Sequence, residues 1–348
     1  MFDLNLLVRK NIKHLSPYST ARDDFKGAAE VFLDANENPN PSAYNRYPDP
    51  HQAKLKGTIA SLKSILPDQI VLGNGSDEII DLLIRAFCEP GVDNVIIPQP
   101  TYGMYRVWAQ VNNVEAREPN LTDEFALDIQ KVTLEIDHNS KLLFLCSPNN
   151  PSGNLLQKDS IESLLQSFSG IVVVDEAYID FCPGPSLTEL LDQYPNLVIL
   201  QTLSKAWGLA GIRLGIGIGS KQIVAILSKI KAPYNISAAT QEIALQYLAQ
   251  NNIRNQVSTI TAERKKLEEA LSRLSIVQQV FSSQANFLLV RFTDAKKCYS
   301  YLLERKIIVR DRSSLIHCNN CLRITIGTVE ENQKLLDTLK TYEESTIY

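Results

Sequence analysis

The chain has 348 residues, a mass of 38.9 kDa and a net charge of −4 from 35 basic and 39 acidic side chains. At roughly 150 residues per domain that length predicts about two domains, and the near balance of charge gives no bias toward nucleic acid or an anionic membrane surface. With 44% hydrophobic and 21% charged residues, and apolar runs as short as Ile171-Val172-Val173-Val174 against the ~18 residues of a membrane span, the composition predicts a folded protein that does not cross a membrane.

Residues Met1 to Lys10 place basic residues after apolar ones and hold no small-residue cleavage site, which argues against a secretory leader. The segment from Asn36 to Pro50 is rich in Pro and Asn, so regular helix is forbidden and an extended arm is expected. From Gln69 onward short β-branched runs alternate with segments of helical period. The expected strands are Ile70 to Leu72, Asn94 to Ile97, Leu142 to Cys146, Ile171 to Val174, Leu197 to Leu200 and Arg213 to Ile218. The expected helices include Asp77 to Phe87, Lys158 to Phe168 and Lys221 to Lys231. This alternation predicts an α/β fold, a mostly parallel sheet sandwiched by helices with ligands at the carboxyl ends of the strands. Near Ser237 the rhythm changes to two long helical segments. Strand-like runs follow at Phe287 to Val290, Ile307 to Val309 and Leu322 to Ile326, with a helix expected on either side of the middle one. The chain thus divides into an arm over 1–45, a large domain over 46–250 and a smaller α+β domain over 251–348. The six cysteines, spread from Cys88 to Cys321, suit reduced thiols in the cytoplasm.

Several familiar chemistries are missing. There is no phosphate-binding loop ending in Lys-Ser/Thr, no nucleophile elbow and no zinc-protease histidine pair. Gly215-Ile216-Gly217-Ile218-Gly219 alternates inside a strand, so its glycines read as close packing. His317-Cys318-Asn319-Asn320-Cys321 has the look of half a metal site but lacks a second pair, and reads as loop and packing residues, with no metal expected.

What remains clusters at strand ends. Gly73-Asn74-Gly75-Ser76-Asp77-Glu78 follows a strand and opens a helix, so its backbone N–H groups can hold a phosphate; the plainer alternative is a turn with a Ser or Asp helix cap. Ser147-Pro148-Asn149-Asn150 ends another strand. Asp175-Glu176-Ala177-Tyr178 puts an acid at the mouth of a wholly apolar strand, where it either caps the next segment or pairs with a cation. Thr202-Leu203-Ser204-Lys205-Ala206-Trp207-Gly208 places a lysine that either is solvated or loses its proton readily enough to form a Schiff base. Asn150, Asp175, Lys205 and Arg213 at one sheet edge suit a single cofactor with a cationic ring nitrogen, an aldehyde and a phosphate, which pyridoxal 5′-phosphate combines.

In that order these segments resemble those of the fold-type I, class II pyridoxal-phosphate aminotransferases, over nearly the whole chain. The resemblance implies that Lys205 carries the cofactor and moves the substrate proton, that Asp175 pairs with the ring nitrogen, that Asn150 and Tyr178 bond the ring hydroxyl, and that Tyr102 stacks on the ring. It implies a phosphate held by Ser204, Arg213 and the backbone of Ser76 and Asp77, with Tyr47 reaching in from the partner of a homodimer. Within the family, Ser16-Pro17-Tyr18, Leu33-Asp34-Ala35-Asn36-Glu37-Asn38-Pro39, Asn45 to Pro48 and Cys321-Leu322-Arg323-Ile324-Thr325 resemble the histidinol-phosphate aminotransferase branch. That match implies substrate contacts from Tyr18, Asn36, Tyr47, Asn150, Arg310 and Arg323. By the same match Arg323, Arg310 and Tyr18 would form an anion clamp for the substrate phosphate, and Arg323 would also take the carboxylate of glutamate. The alternative for Arg310 is a surface ion pair with Asp311. Trp207 and Ser152 stand where the family often has Phe and Thr, which bears on fine specificity. Competing readings of the whole chain are an aromatic amino acid aminotransferase, a threonine-phosphate decarboxylase of the same fold, and a non-enzymatic regulator or binding protein. The 35 residues before Asn36 are too short and too weakly basic for an added DNA-binding segment.

Overall fold

Buried β-branched runs build the larger sheet of the structure, a computed structural model that describes residues 2–21, 30–250 and 253–347. Its strands are β1 (Ile70–Asn74), β2 (Asn94–Ile96), β3 (Glu115–Arg117), β4 (Ser140–Cys146), β5 (Ile171–Asp175), β6 (Leu197–Thr202) and β7 (Leu214–Gly219), in the order β1-β7-β6-β5-β4-β2-β3. All pairs from β3 to β6 are parallel, whereas β7 runs antiparallel to both β1 and β6. Strand β5 is buried along its whole length, as expected of a strand covered on both faces. Its residues alternate between two cores. Ile171 and Val173 pack with Ile79, Ile80 and Leu83 of the helix Ser76–Phe87. Val172 and Val174 pack with Leu55 and Ile59 of the helix Ala53–Lys63 and with Ile161 and Leu164 of the helix Lys158–Ser167.

The glycines of β7 serve packing, as expected: a Cβ at Gly217 would lie 2.8 Å from a Val71 side-chain carbon and 2.9 Å from one of Ile79. Strand β3, not expected from the sequence, is an edge strand with no apolar alternation.

A second, antiparallel sheet has the order β10-β11-β9-β8, from β8 (Val277–Val280), β9 (Phe287–Phe292), β10 (Arg310–Asp311) and β11 (Cys321–Thr325). Leu288, Val290, Leu322 and Ile324 join Leu267, Leu302 and Leu339 in a separate core beneath the helices Arg254–Leu271, Ala295–Glu304 and Val329–Ile347. Two expectations fail here. The middle strand lies at Arg310–Asp311 and not at Ile307 to Val309, and only one of its flanks carries a helix, because the second helix follows β11. The link from β10 to β11 is a chain of turns in which His317 and Asn320 take φ values of 59° and 54°, a left-handed geometry that helices do not tolerate.

At the other end of the chain, residues 30–49 form neither helix nor strand. Val31, Leu33, Tyr44 and Tyr47 of this arm are exposed. The first residues are tethered more firmly: the Arg9 N–H donates to the Ala86 carbonyl at 3.1 Å, and its guanidinium pairs with Glu89 at 3.2 Å.

Candidate active site

The sheet gathers its chemistry at one edge. Ser76 and Asp77 follow β1, Asn150 follows β4, Asp175 ends β5 and Ser204 and Lys205 follow β6. Arg213 precedes β7, and because that strand is reversed, its beginning lies beside the ends of its neighbours. Gly75, Ser76, Asp77, Tyr102, Asn150, Asp175, Tyr178, Thr202, Ser204, Lys205 and Arg213 line one cleft.

Its floor on the β1 side brings together backbone N–H groups and a guanidinium, a set that can hold an anion. Gly75 caps the helix Ser76–Phe87 with φ 73° and no side-chain cap bond, so the Ser or Asp cap considered above does not form. Ser76 and Asp77 are instead the first two helical residues, whose N–H groups have no partner within the helix. The Gly75 N–H donates to the Arg213 carbonyl at 2.8 Å. Arg213 lies 3.5 Å from Ser204 Oγ and 3.7 Å from Asp77 Oδ2, and Ser204 Oγ lies 2.9 Å from Thr202 Oγ1. A Cβ at Gly75 would sit 2.5 Å from Arg213 Nη2, and one at Gly215 would sit 2.2 Å from Gly75 C and Ser76 N. Two glycines therefore let the backbone and the guanidinium close around the same space.

Deeper in, Asp175 is 3% exposed. Burial raises its pKa, and two hydrogen bonds oppose that shift: the Tyr105 hydroxyl donates to Oδ2 at 2.6 Å and the Ala177 N–H to Oδ1 at 3.0 Å. Tyr105, wholly buried and stacked on Phe144 with centroids 5.0 Å apart, is a site residue that the sequence reading missed. Its one signal was a tyrosine on an apolar helix face, which needs a polar partner when buried. Lys205 Nζ lies 5.5 Å from the centre of the Tyr178 ring. Part of the Lys205 surface meets solvent, yet desolvation of the amine, and then the nearby Arg323, lower its pKa, with Asp175 opposing. The Tyr102 hydroxyl donates to Asp77 Oδ1 at 3.1 Å, and Tyr178 meets Phe287 edge to face at 5.1 Å.

The smaller sheet supplies the arginines. Arg323 of β11 donates to Asn150 Oδ1 at 2.5 Å and lies over the Phe287 ring at 5.2 Å. Arg310 of β10 is its direct cross-strand partner. The ion pair of Arg310 with Asp311 is not formed among the described residues; Asp311 Oδ1 instead accepts from the Ser313 N–H at 2.8 Å. Three expected residues lie away from this cleft in the same protomer. Tyr47 stacks on Tyr234 at 4.4 Å and donates its N–H to Glu37 at 2.7 Å, in a hollow shared with Asn36. Tyr18 is exposed and lines a separate hollow with Lys56 and Lys229. His317, of the discounted metal motif, pairs with Asp123 at 2.7 Å.

A family model described as aminotransferase class I and II matches residues 18–339. The chain belongs to that family. It is 54% identical over 341 residues to a histidinol-phosphate aminotransferase of Parabacteroides distasonis, covering 98% of this chain and 99% of that one. It is 51% identical over 346 residues to the enzyme of the same name from Cytophaga hutchinsonii, covering 98% and 99%. Among solved structures, the histidinol-phosphate aminotransferase of Clostridium acetobutylicum superposes with a TM-score of 0.79 at 29% identity, over 86% of this chain and 91% of that chain. For an aminotransferase of this family the cleft fits pyridoxal phosphate: a cradle that a Cβ would fill, a buried carboxylate, an amine of lowered pKa and flanking tyrosines match its phosphate, ring nitrogen, aldehyde and ring.

Proposed function

We propose that this chain is a pyridoxal-phosphate-dependent aminotransferase that moves the amino group, reversibly, between glutamate and imidazole-acetol phosphate to form 2-oxoglutarate and histidinol phosphate. The observation that carries the reading is the meeting of Lys205, Asp175 and Arg213 in one cleft whose Asn150 accepts a hydrogen bond from Arg323, in a chain with full-length relatives of that name.

When bound, pyridoxal phosphate supplies an aldehyde for the amino group and a ring that draws off the electron pair released at the substrate carbon. The protein's residues do the rest. Arg213, Ser204 and the Ser76 and Asp77 N–H groups hold the phosphate. Asp175, whose burial-raised pKa is opposed by hydrogen bonds from Tyr105 and Ala177, would pair with the ring nitrogen, Asn150 and Tyr178 would bond the ring hydroxyl, and Tyr102 would pack on the ring. Lys205 would supply the amine that holds the cofactor and the base at the substrate Cα, and its lowered pKa favours the neutral amine that both roles need. Arg323 and Arg310, with Tyr18, take the substrate phosphate, and Arg323 also takes the glutamate carboxylate.

Tyr18, Asn36 and Tyr47 lie outside their own cleft, and the exposed arm that carries Tyr47 supports a homodimer in which each copy completes the other's site. Six unpaired cysteines support a cytoplasmic setting. Among the described residues no helix is long and apolar enough to cross a membrane. The test is direct: the purified protein should absorb in the near-visible range and, with glutamate as donor, turn over imidazole-acetol phosphate far faster than it uses phenylalanine or tyrosine as donors. A colourless protein that stays so with added cofactor, or a preference for the aromatic donors, would reject the assignment.

A further inference from the structure

The hairpin of the smaller sheet carries one more guanidinium than this reading uses. Arg310 faces Arg323 directly across the β10–β11 pair. The Arg312 N–H donates to the Cys321 carbonyl at 2.9 Å, which continues the ladder one step past the strand. Residues two apart along a strand share a face, and directly opposed residues do so too. Arg310, Arg312 and Arg323 therefore all project from the side on which Arg323 meets Asn150, while Leu322, on the opposite side, is sealed in the apolar core.

Among the described residues no carboxylate balances these three charges. None of the three arginines has an ion pair among the described residues, and Asp311 projects from the other face. The Nε atoms of Arg312 and Arg323 are both buried without a hydrogen-bond partner. Burial, then Arg323 and Arg310, push the Arg312 pKa down to about 10, and burial and Arg310 lower that of Arg323 as well, with Tyr178 opposing. Like charges crowded into a partly desolvated face destabilise the free protein. A group carrying close to two negative charges and three acceptor oxygens relieves that repulsion far better than a carboxylate with one.

We infer that Arg312 is a third arginine of the substrate clamp and sets a preference for phosphate monoesters over carboxylates. The inference rests on the assignment of Arg323 and Arg310 to substrate binding made above. Arg323 alone serves the glutamate carboxylate, so the cost of losing Arg312 falls on the phosphorylated partner.

The test uses the holoenzyme with Arg312→Gln and Arg312→Lys. KM for histidinol phosphate and for glutamate is measured separately, together with the inhibition constant of inorganic phosphate. Arg312→Gln should raise both phosphate-dependent constants about tenfold, the size of one lost charge-assisted bond, and move the glutamate KM less than about twofold. Arg312→Lys should recover part of the loss, because it restores the charge without the planar fork. Unchanged phosphate constants in Arg312→Gln, or phosphate and glutamate constants rising together, would overturn the inference. A wild-type enzyme that does not distinguish histidinol phosphate from unphosphorylated histidinol would instead overturn the proposed function itself.

Discussion

Replacing Tyr105 with Phe removes one oxygen from the interior and little else, since the ring keeps its stack on Phe144. That oxygen donates the 2.6 Å hydrogen bond to Asp175 Oδ2, and the Ala177 N–H remains as the carboxylate's other donor. A buried hydrogen bond to a charged acceptor is worth about 1.5–3 kcal/mol, so Tyr105→Phe should destabilise the cofactor-free protein by about 2 kcal/mol at neutral pH. The loss should depend on pH in a defined direction. Burial already raises the Asp175 pKa in the folded state above its ordinary value, and Tyr105 opposes that rise; the variant's folded pKa therefore lies higher still. Between the unfolded and folded pKa values the folded form binds the extra proton, so stability falls as pH rises through that window. The gap between variant and wild type is full above the variant's folded pKa and closes as pH falls below that of the wild type. Urea unfolding of the cofactor-free protein across a pH series measures it. An equal loss at acid and neutral pH would show that Tyr105 acts through packing alone, and no loss at all would show that the bond is not there.

The other predictions concern the cleft directly. Lys205→Ala should abolish both transamination and the near-visible absorbance while leaving the unfolding midpoint of the cofactor-free protein nearly unchanged; wild-type turnover would refute its role. Arg323→Ala should raise KM for glutamate and for histidinol phosphate together, each by about tenfold or more, and a rise in only one would mean that the two substrates do not share the clamp. Gly215→Ala forces a Cβ to within 2.2 Å of Gly75 C and Ser76 N, so it should cost about 1–3 kcal/mol in stability and weaken cofactor binding in equilibrium titration. Undiminished affinity would mean that the cradle is not the phosphate site.

Strand β5 and the helix Ser76–Phe87 were legible because each is a long run in which almost every apolar side chain is buried, and a buried run leaves its period in the sequence. Strands β3 and β8 were not. They are edge strands with few buried side chains, so pairing and not apolar burial creates them. The residues of the cleft divide in the same way. Lys205, Asp175 and Asn150 could be picked out because each ends an apolar strand or lies in the short segment just beyond one, and in a parallel sheet such ends share one edge.

Local order thus determined which side chains stand at strand ends, since hydrophobic period and chain punctuation act over a few residues. What tertiary structure decided is how those ends meet. The reversal of β7 brings Arg213 to the others' edge. Tyr105 reaches a carboxylate 70 residues away, and the register of β10 on β11 turns Arg310 and Arg312 to the face of Arg323. Such partners are joined by packing between distant segments, and neither composition nor spacing along the chain carries that distance.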